Sequence, residues 1–124
     1  MSEARPAIRP WPSEIRLKKS ERRLEISFES GETFSLPAEY LRVESPSAEV
    51  QGHGAGGKTI VPGKRNVAIE ALEPVGNYAV RIVFGDGHDS GLFTWETLYR
   101  LGSEQEKLWA EYLAALDAKS LNRD

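Results

Sequence analysis

A chain of 124 residues that is 40% hydrophobic, with three Trp, four Tyr and four Phe, supplies one core that buries roughly two-thirds of the unfolded surface and leaves little for a second. Its formal net charge of −3 disfavours a general nucleic-acid binder, and the absence of cysteine excludes disulfides, thiolate metal ligands and cysteine nucleophiles. No run approaches the ~18–20 apolar residues that span a bilayer, and MSEARPAIRPWPSEI is too broken by charge and proline to be a secretory signal. A cytoplasmic protein without membrane association is therefore expected.

Residues 1–13 read as a flexible tail. Ile15 and Leu17 then alternate with polar residues, and Leu24, Ile26 and Phe28 do so again, the two-residue period of half-buried strands. Lys19–Arg22 joins the two strands, and Ser30-Gly31 turns the chain into a third strand carrying Phe34 and Leu36. LPAEYLRV follows as a short helix, with Pro37 in the first turn, where its missing N–H costs nothing. Beyond residue 65, Val67, Ile69 and Ala71 alternate, Gly76-Asn77 turns, and Val80, Ile82 and Phe84 return as another strand. Thr94 is placed to cap a helix that Gly102 ends, and Ser103 with Glu106 has the spacing of a capping box for a final helix. The expected fold is α+β: a small antiparallel sheet of meanders and hairpins, covered on one side by short helices in two layers, with a C-terminal helix over residues 103–119.

Residues 51–65 are rich in glycine and are expected to form a mobile loop. Within it, residues 52–59 read GHGAGGKT and satisfy G-x-x-x-x-G-K-[ST], the pattern of a phosphate-binding loop. Such a loop needs a buried strand before it and an amphipathic helix after it. Here a polar VESPSAEVQ precedes and Ile-Val-Pro-Gly follows, so nucleotide binding ranks last among the functional readings.

Two surfaces stand out for a partner. Lys18, Lys19, Arg22 and Arg23 concentrate positive charge on the first hairpin, fit for an acidic partner. The last helix carries Leu108, Trp109, Tyr112, Leu113 and Leu116 on one stripe; packing on the sheet is its first reading, and Trp109 and Tyr112 as part of a partner or homodimer face its second. For chemistry, His88 lies between Asp86 and Asp89, and with His53 it forms a minimal candidate site for zinc or iron. A triad of Ser90, His88 and Asp86 lacks any nucleophile elbow and is set aside. No catalytic constellation emerges.

The runs IRLKKSERRLEISFESGETFSLPAEYLRVESPSAEV and VGNYAVRIVFGDGHDSGLFTWETLYRLG resemble the gamma-butyrobetaine hydroxylase-like N-terminal domain over residues 14–102. LPAEYLR and FGDGHDSGLFTWETL carry most of the likeness. The family includes small stand-alone bacterial proteins of unknown function, and the domain also occurs fused to carnitine-biosynthesis dioxygenases and to iron–sulfur scaffold ATPases. In the dioxygenases a C-x-C-x-x-C cluster and a later histidine hold a structural zinc. The resemblance places those cysteine positions at Ser45, Ser47 and Val50 and the histidine at His88. Losing thiolates that contribute about 10–16 kcal/mol of apparent zinc affinity in finger peptides implies a chain that folds without a cofactor. The resemblance thus points to a non-enzymatic accessory or interaction domain, associated with iron–sulfur or oxygenase systems, with an unidentified protein partner. A metal-binding protein built on His88 and His53 is the alternative.

Overall fold

The structure, a computed structural model, describes residues 10–47 and 59–124. Its first sheet is an antiparallel meander of β1 (Pro12–Lys18), β2 (Arg23–Phe28) and β3 (Thr33–Pro37), in that order. A 3-10 turn over Lys19–Glu21 joins β1 to β2, closed by Arg22 in the left-handed region at φ 54°. Helix α1 (Ala38–Val43) leaves β3 directly, with Pro37 at its N-cap. The second sheet contains β4 (Ile69–Val75), β5 (Ala79–Phe84) and β6 (Leu92–Thr94), also antiparallel and in chain order. Helices α2 (Trp95–Ser103) and α3 (Gln105–Ala118) follow.

The two-residue period decides which side chains enter the core. Leu24, Ile26, Phe28 and Leu36 from the first sheet meet Ile69, Val80, Ile82, Phe84 and Phe93 from the second in one buried cluster, closed by Leu98 and Leu101 of α2. Facing pairs Leu24↔Leu36 and Val80↔Phe93 lock the registers, because a one-residue slip would turn these side chains to solvent. The expected α+β class holds, with the strands divided between two three-stranded sheets. Strand β1 begins at Pro12, and Glu29 N–H donates to Trp11 O at 2.8 Å, so ordered pairing starts ahead of residue 14.

Helix α1 has no solvent face. All six of its residues are buried, Glu39 and Arg42 among them. A charged side chain is tolerated in such a place only with a partner of opposite sign, and both have one, as described below.

Thr94 caps α2 as expected, its Oγ1 accepting from Thr97 N–H at 3.1 Å. Gly102 does not end that helix, which runs on to Ser103. Its role is to make room: a Cβ at Gly102 would lie 2.3, 2.5 and 2.7 Å from three atoms of the Phe34 ring. Nor does Ser103 cap α3; its hydroxyl donates back to Arg100 O at 3.3 Å. Gly102→Ala should therefore cost about 1–3 kcal/mol through overpacking, against the gain of up to about 1 kcal/mol that alanine brings to an open helix. Urea titration checks this, and the loss should shrink when Phe34 is also trimmed to Leu.

Helix α3 turns Tyr112 and Leu116 inward onto Val43, Ile60 and Val61 in a second, smaller cluster. Tyr112 Oη donates to Val61 O at 2.6 Å, and burial pushes that phenol up to about 12. After α3 the chain doubles back, and Asn122 O and Arg123 O accept from the N–H groups of Gly63 and Arg65 at 3.1 and 2.9 Å. Within the stretch 51–65 expected to be a mobile loop, residues 59–65 are thus bonded to the C-terminal helix and tail; residues 51–58 lie outside the described residues. Residues 59–68 contain no helix, so Thr59 does not open the helix that a phosphate-binding loop requires.

Candidate functional site

The buried polar groups gather around α1 and the segment that leaves it. Arg42, with 7% of its side chain exposed, points from α1 to Asp86 in the turn after β5, Nε to Oδ2 at 2.9 Å. Lys64 Nζ reaches the same oxygen at 2.6 Å. The other carboxylate oxygen accepts from His88 N–H at 3.1 Å, the Asx-type bond that tightens a turn. Gly87 supplies the positive φ of 92° at its centre. Burial opposes ionisation of Asp86, but the Lys64 ammonium, the His88 amide and the Arg42 guanidinium outweigh it and hold the carboxyl at about 2.

The same turn delivers His88 into the protein, only 7% exposed, with its ring 5.9 Å from that of Phe84. Its Nε2 lies 3.0 Å from Ser45 Oγ and 3.3 Å from Ser47 Oγ. Both serines are buried, and Ser47 N–H also donates to Ser45 Oγ at 3.4 Å. Gly91 leaves the space, since a Cβ there would lie 2.3 Å from Ser45 Oγ. Residues 44 positions apart in the chain, Arg42 and Asp86, therefore clamp the same corner in which Ser45 and Ser47 grip His88.

Three of the sequence-derived positions, Ser45, Ser47 and His88, thus meet in space. Val50 and His53 lie outside the described residues. This donor set does not fit zinc: it offers one imidazole nitrogen and two neutral hydroxyls, and that nitrogen is engaged by the hydroxyls themselves. No group of three or more His, Cys, Asp or Glu among the described residues is arranged to hold a metal ion. Ser90 contributes to an open cleft of about 350 Å³ beside His88 and Asp86, without the strand-to-helix turn that would make it a nucleophile.

The expected partner surfaces fare differently. On the first hairpin Lys18 faces Glu25 at 3.7 Å, and Arg23 reaches Glu21 at 2.6 Å and Glu25 at 3.2 Å. The charge there is interleaved with carboxylates, and of Lys18, Lys19, Arg22 and Arg23 it is Lys19 and Arg22 that are exposed. Tyr112 is buried and bonded to Val61 O. Trp109 is partly buried, edge-on to Tyr40 with ring centres 6.2 Å apart and packed against both hydrophobic clusters. Its outer side carries Arg123, whose guanidinium carbon lies 5.3 Å from the ring centre.

Sequence reading missed the pairing of Arg42 with Asp86 and of Glu39 with Arg123, the latter bonded through two nitrogens at 2.8 and 2.7 Å. The available signal was faint: two opposite charges inside a helix too short to have an exposed face. None of the described helices is long and apolar enough to cross a membrane.

Known proteins share this architecture. A family model described as "Gamma-butyrobetaine hydroxylase-like, N-terminal" matches residues 15–99. One protein solved in solution by NMR is 47% identical, with 94% of this chain and 92% of its own covered and a TM-score of 0.82. A second NMR structure is 49% identical over 98% of this chain and 91% of its own, with a TM-score of 0.81. A crystal structure from Acidithiobacillus ferrooxidans, of a DUF971-family protein of unknown function, is 43% identical over 75% of this chain and 93% of its own, with a TM-score of 0.63. Among curated proteins there is no significant match.

Proposed function

The chain belongs to the gamma-butyrobetaine hydroxylase-like N-terminal family, and from that premise we propose that it is a non-enzymatic accessory domain that works by binding another protein. The observation that carries this reading is the corner where Ser45 and Ser47 hold His88 Nε2 at 3.0 and 3.3 Å. At the positions where the family resemblance implies zinc ligands, hydroxyl-to-imidazole bonds now join the end of α1 to the β5–β6 connection. The fold keeps the joint and does without the ion. A joint of this kind, kept for its shape at the former ligand positions, supports reading the chain as a scaffold for recognition. By analogy with its fused relatives, the partner belongs to an iron–sulfur or oxygenase system in the cytoplasm, and that analogy rests on association alone.

Affinity capture from native lysate tests the reading when wild type is compared with Lys19→Glu/Arg22→Glu, which reverses two exposed cations of the first hairpin. The expected result is one protein retained in stoichiometric amount by wild type and lost from the variant, at unchanged melting temperature. A chain that retains no protein, or that turns over a small-molecule substrate of the co-purifying system by itself, would contradict the proposal.

A further inference from the structure

Glu39 is a carboxylate in an element with no solvent face; only 7% of its side chain is exposed. A lone anion in that position is strongly disfavoured, so the site demands a cation. Arg123 meets the demand with a two-nitrogen fork on Glu39, at 2.8 and 2.7 Å, while lying over the face of Trp109 at 5.3 Å. A planar carboxylate beside an aromatic face is the geometry that selects guanidinium over ammonium.

The arginine that fills this place comes from the tail beyond α3, not from the body of the fold. The tail is mostly exposed and is tied down by two backbone bonds, to Gly63 and Arg65, and by the exposed pair of Arg65 with Asp124. Among the described residues, the Arg123–Glu39 fork is thus the tail's one buried anchor, and a second arginine replacing it would keep a cation on Glu39 throughout the exchange. Around Arg123 runs an open groove of about 970 Å³ along the α2–α3 junction, its wall including Glu104, Glu106 and Lys107. With Arg123 withdrawn, the carboxylates of Glu39, Glu104 and Glu106 outnumber the cations beside them, Lys107 in the wall and Arg100 at 3.8 Å from Glu104, a charge balance complementary to a basic segment.

We propose that the Glu39–Trp109 groove is a recognition site for an arginine-bearing segment of a partner protein, and that Arg123 occupies it in cis until the partner displaces the tail. This rests on the reading of the chain as a binding domain. A partner exchanging one bidentate arginine for another gains from the rest of the groove, which Arg123 does not fill.

The test uses full-length Arg123→Ala and a blocked peptide, Leu-Asn-Arg-Asp, with an Ala-for-Arg peptide as control, followed by NMR and calorimetry. The Arg peptide should bind Arg123→Ala at least about tenfold more tightly than it binds wild type, shift the Trp109 indole signal, and lose its binding when Glu39→Gln is added. If the double variant does not fold, a Lys-for-Arg peptide serves instead and should bind several-fold more weakly than the Arg peptide. Equal binding of the Arg and Ala peptides, or no binding to folded Arg123→Ala, overturns the proposal. A wild-type dimer held by exchanged tails and dissolved by Arg123→Ala would also overturn it, by making a second copy the occupant. Failure of the peptide alongside successful charge-dependent capture on Lys19 and Arg22 would sink this site and leave the accessory-domain reading standing.

Discussion

Ser45→Cys/Ser47→Cys/Val50→Cys should turn this chain into a zinc protein that takes up about one equivalent of metal and unfolds tens of degrees higher with zinc than with chelator. Around a tetrahedral zinc, bonds of about 2.3 Å to sulfur and 2.0 Å to nitrogen set ligand atoms about 3.5 Å apart. The hydroxyl oxygens of Ser45 and Ser47 already stand 3.0 and 3.3 Å from His88 Nε2. Longer carbon–sulfur bonds need only slight outward adjustment, and the missing Cβ of Gly91 leaves room at position 45. Thiolate replaces a neutral hydroxyl at positions 45 and 47 and an apolar side chain at position 50, so the gain is far larger than any hydrogen bond lost. Adding His88→Ala should remove the fourth ligand and most of the stabilisation. A triple variant that folds but binds no zinc would show that the serine corner is unrelated to a metal site.

The largest loss is expected from Asp86→Ala, at about 3 kcal/mol, or roughly 10–15 °C in melting temperature for a domain of this size. The substitution removes the bonds from Arg42, Lys64 and the His88 amide together, and Arg42 is buried. Asp86→Asn keeps an acceptor for His88 N–H but gives up the charge, and should lose about 1–2 kcal/mol. The pH dependence has a definite sign. The folded-state carboxyl is depressed to about 2 from an ordinary 3.8, so its contribution is complete above the ordinary value and fades as pH falls through the folded one. Wild type should therefore lose stability between about pH 4 and pH 2 more steeply than Asp86→Asn, as chemical denaturation at stepped pH would record. Parallel acid limbs would remove Asp86 from its place as the ionic centre of the corner.

Periodicity made much of the fold legible. Leu24, Ile26 and Phe28 alternate cleanly because β2 is the central strand of its sheet with one face on the core, and Thr94 caps α2 by a purely local bond. What stayed hidden depends on contacts between distant residues. Strand β6 is three residues long and forms only because β5 offers it an edge, too short for any period to show. Gly102 has the sequence signature of a helix stop and acts as a packing notch for Phe34, 68 positions away. The stripe on α3 was visible, but not that Val43, Ile60 and Val61 would cover Tyr112. At the candidate site the meeting of Ser45, Ser47 and His88 was legible only through family resemblance. Hydroxyls and a histidine more than 40 positions apart carry no spacing rule of their own.

Metal content of the untagged wild-type protein, measured with its melting temperature in zinc, iron and chelator, tests the hydroxyl–imidazole corner most directly. The structure predicts well under about 0.1 equivalent of either metal and a melting temperature indifferent to all three additions, since neutral hydroxyls do not replace thiolates. A stoichiometric metal that stabilises the fold and disappears in His88→Ala would contradict it.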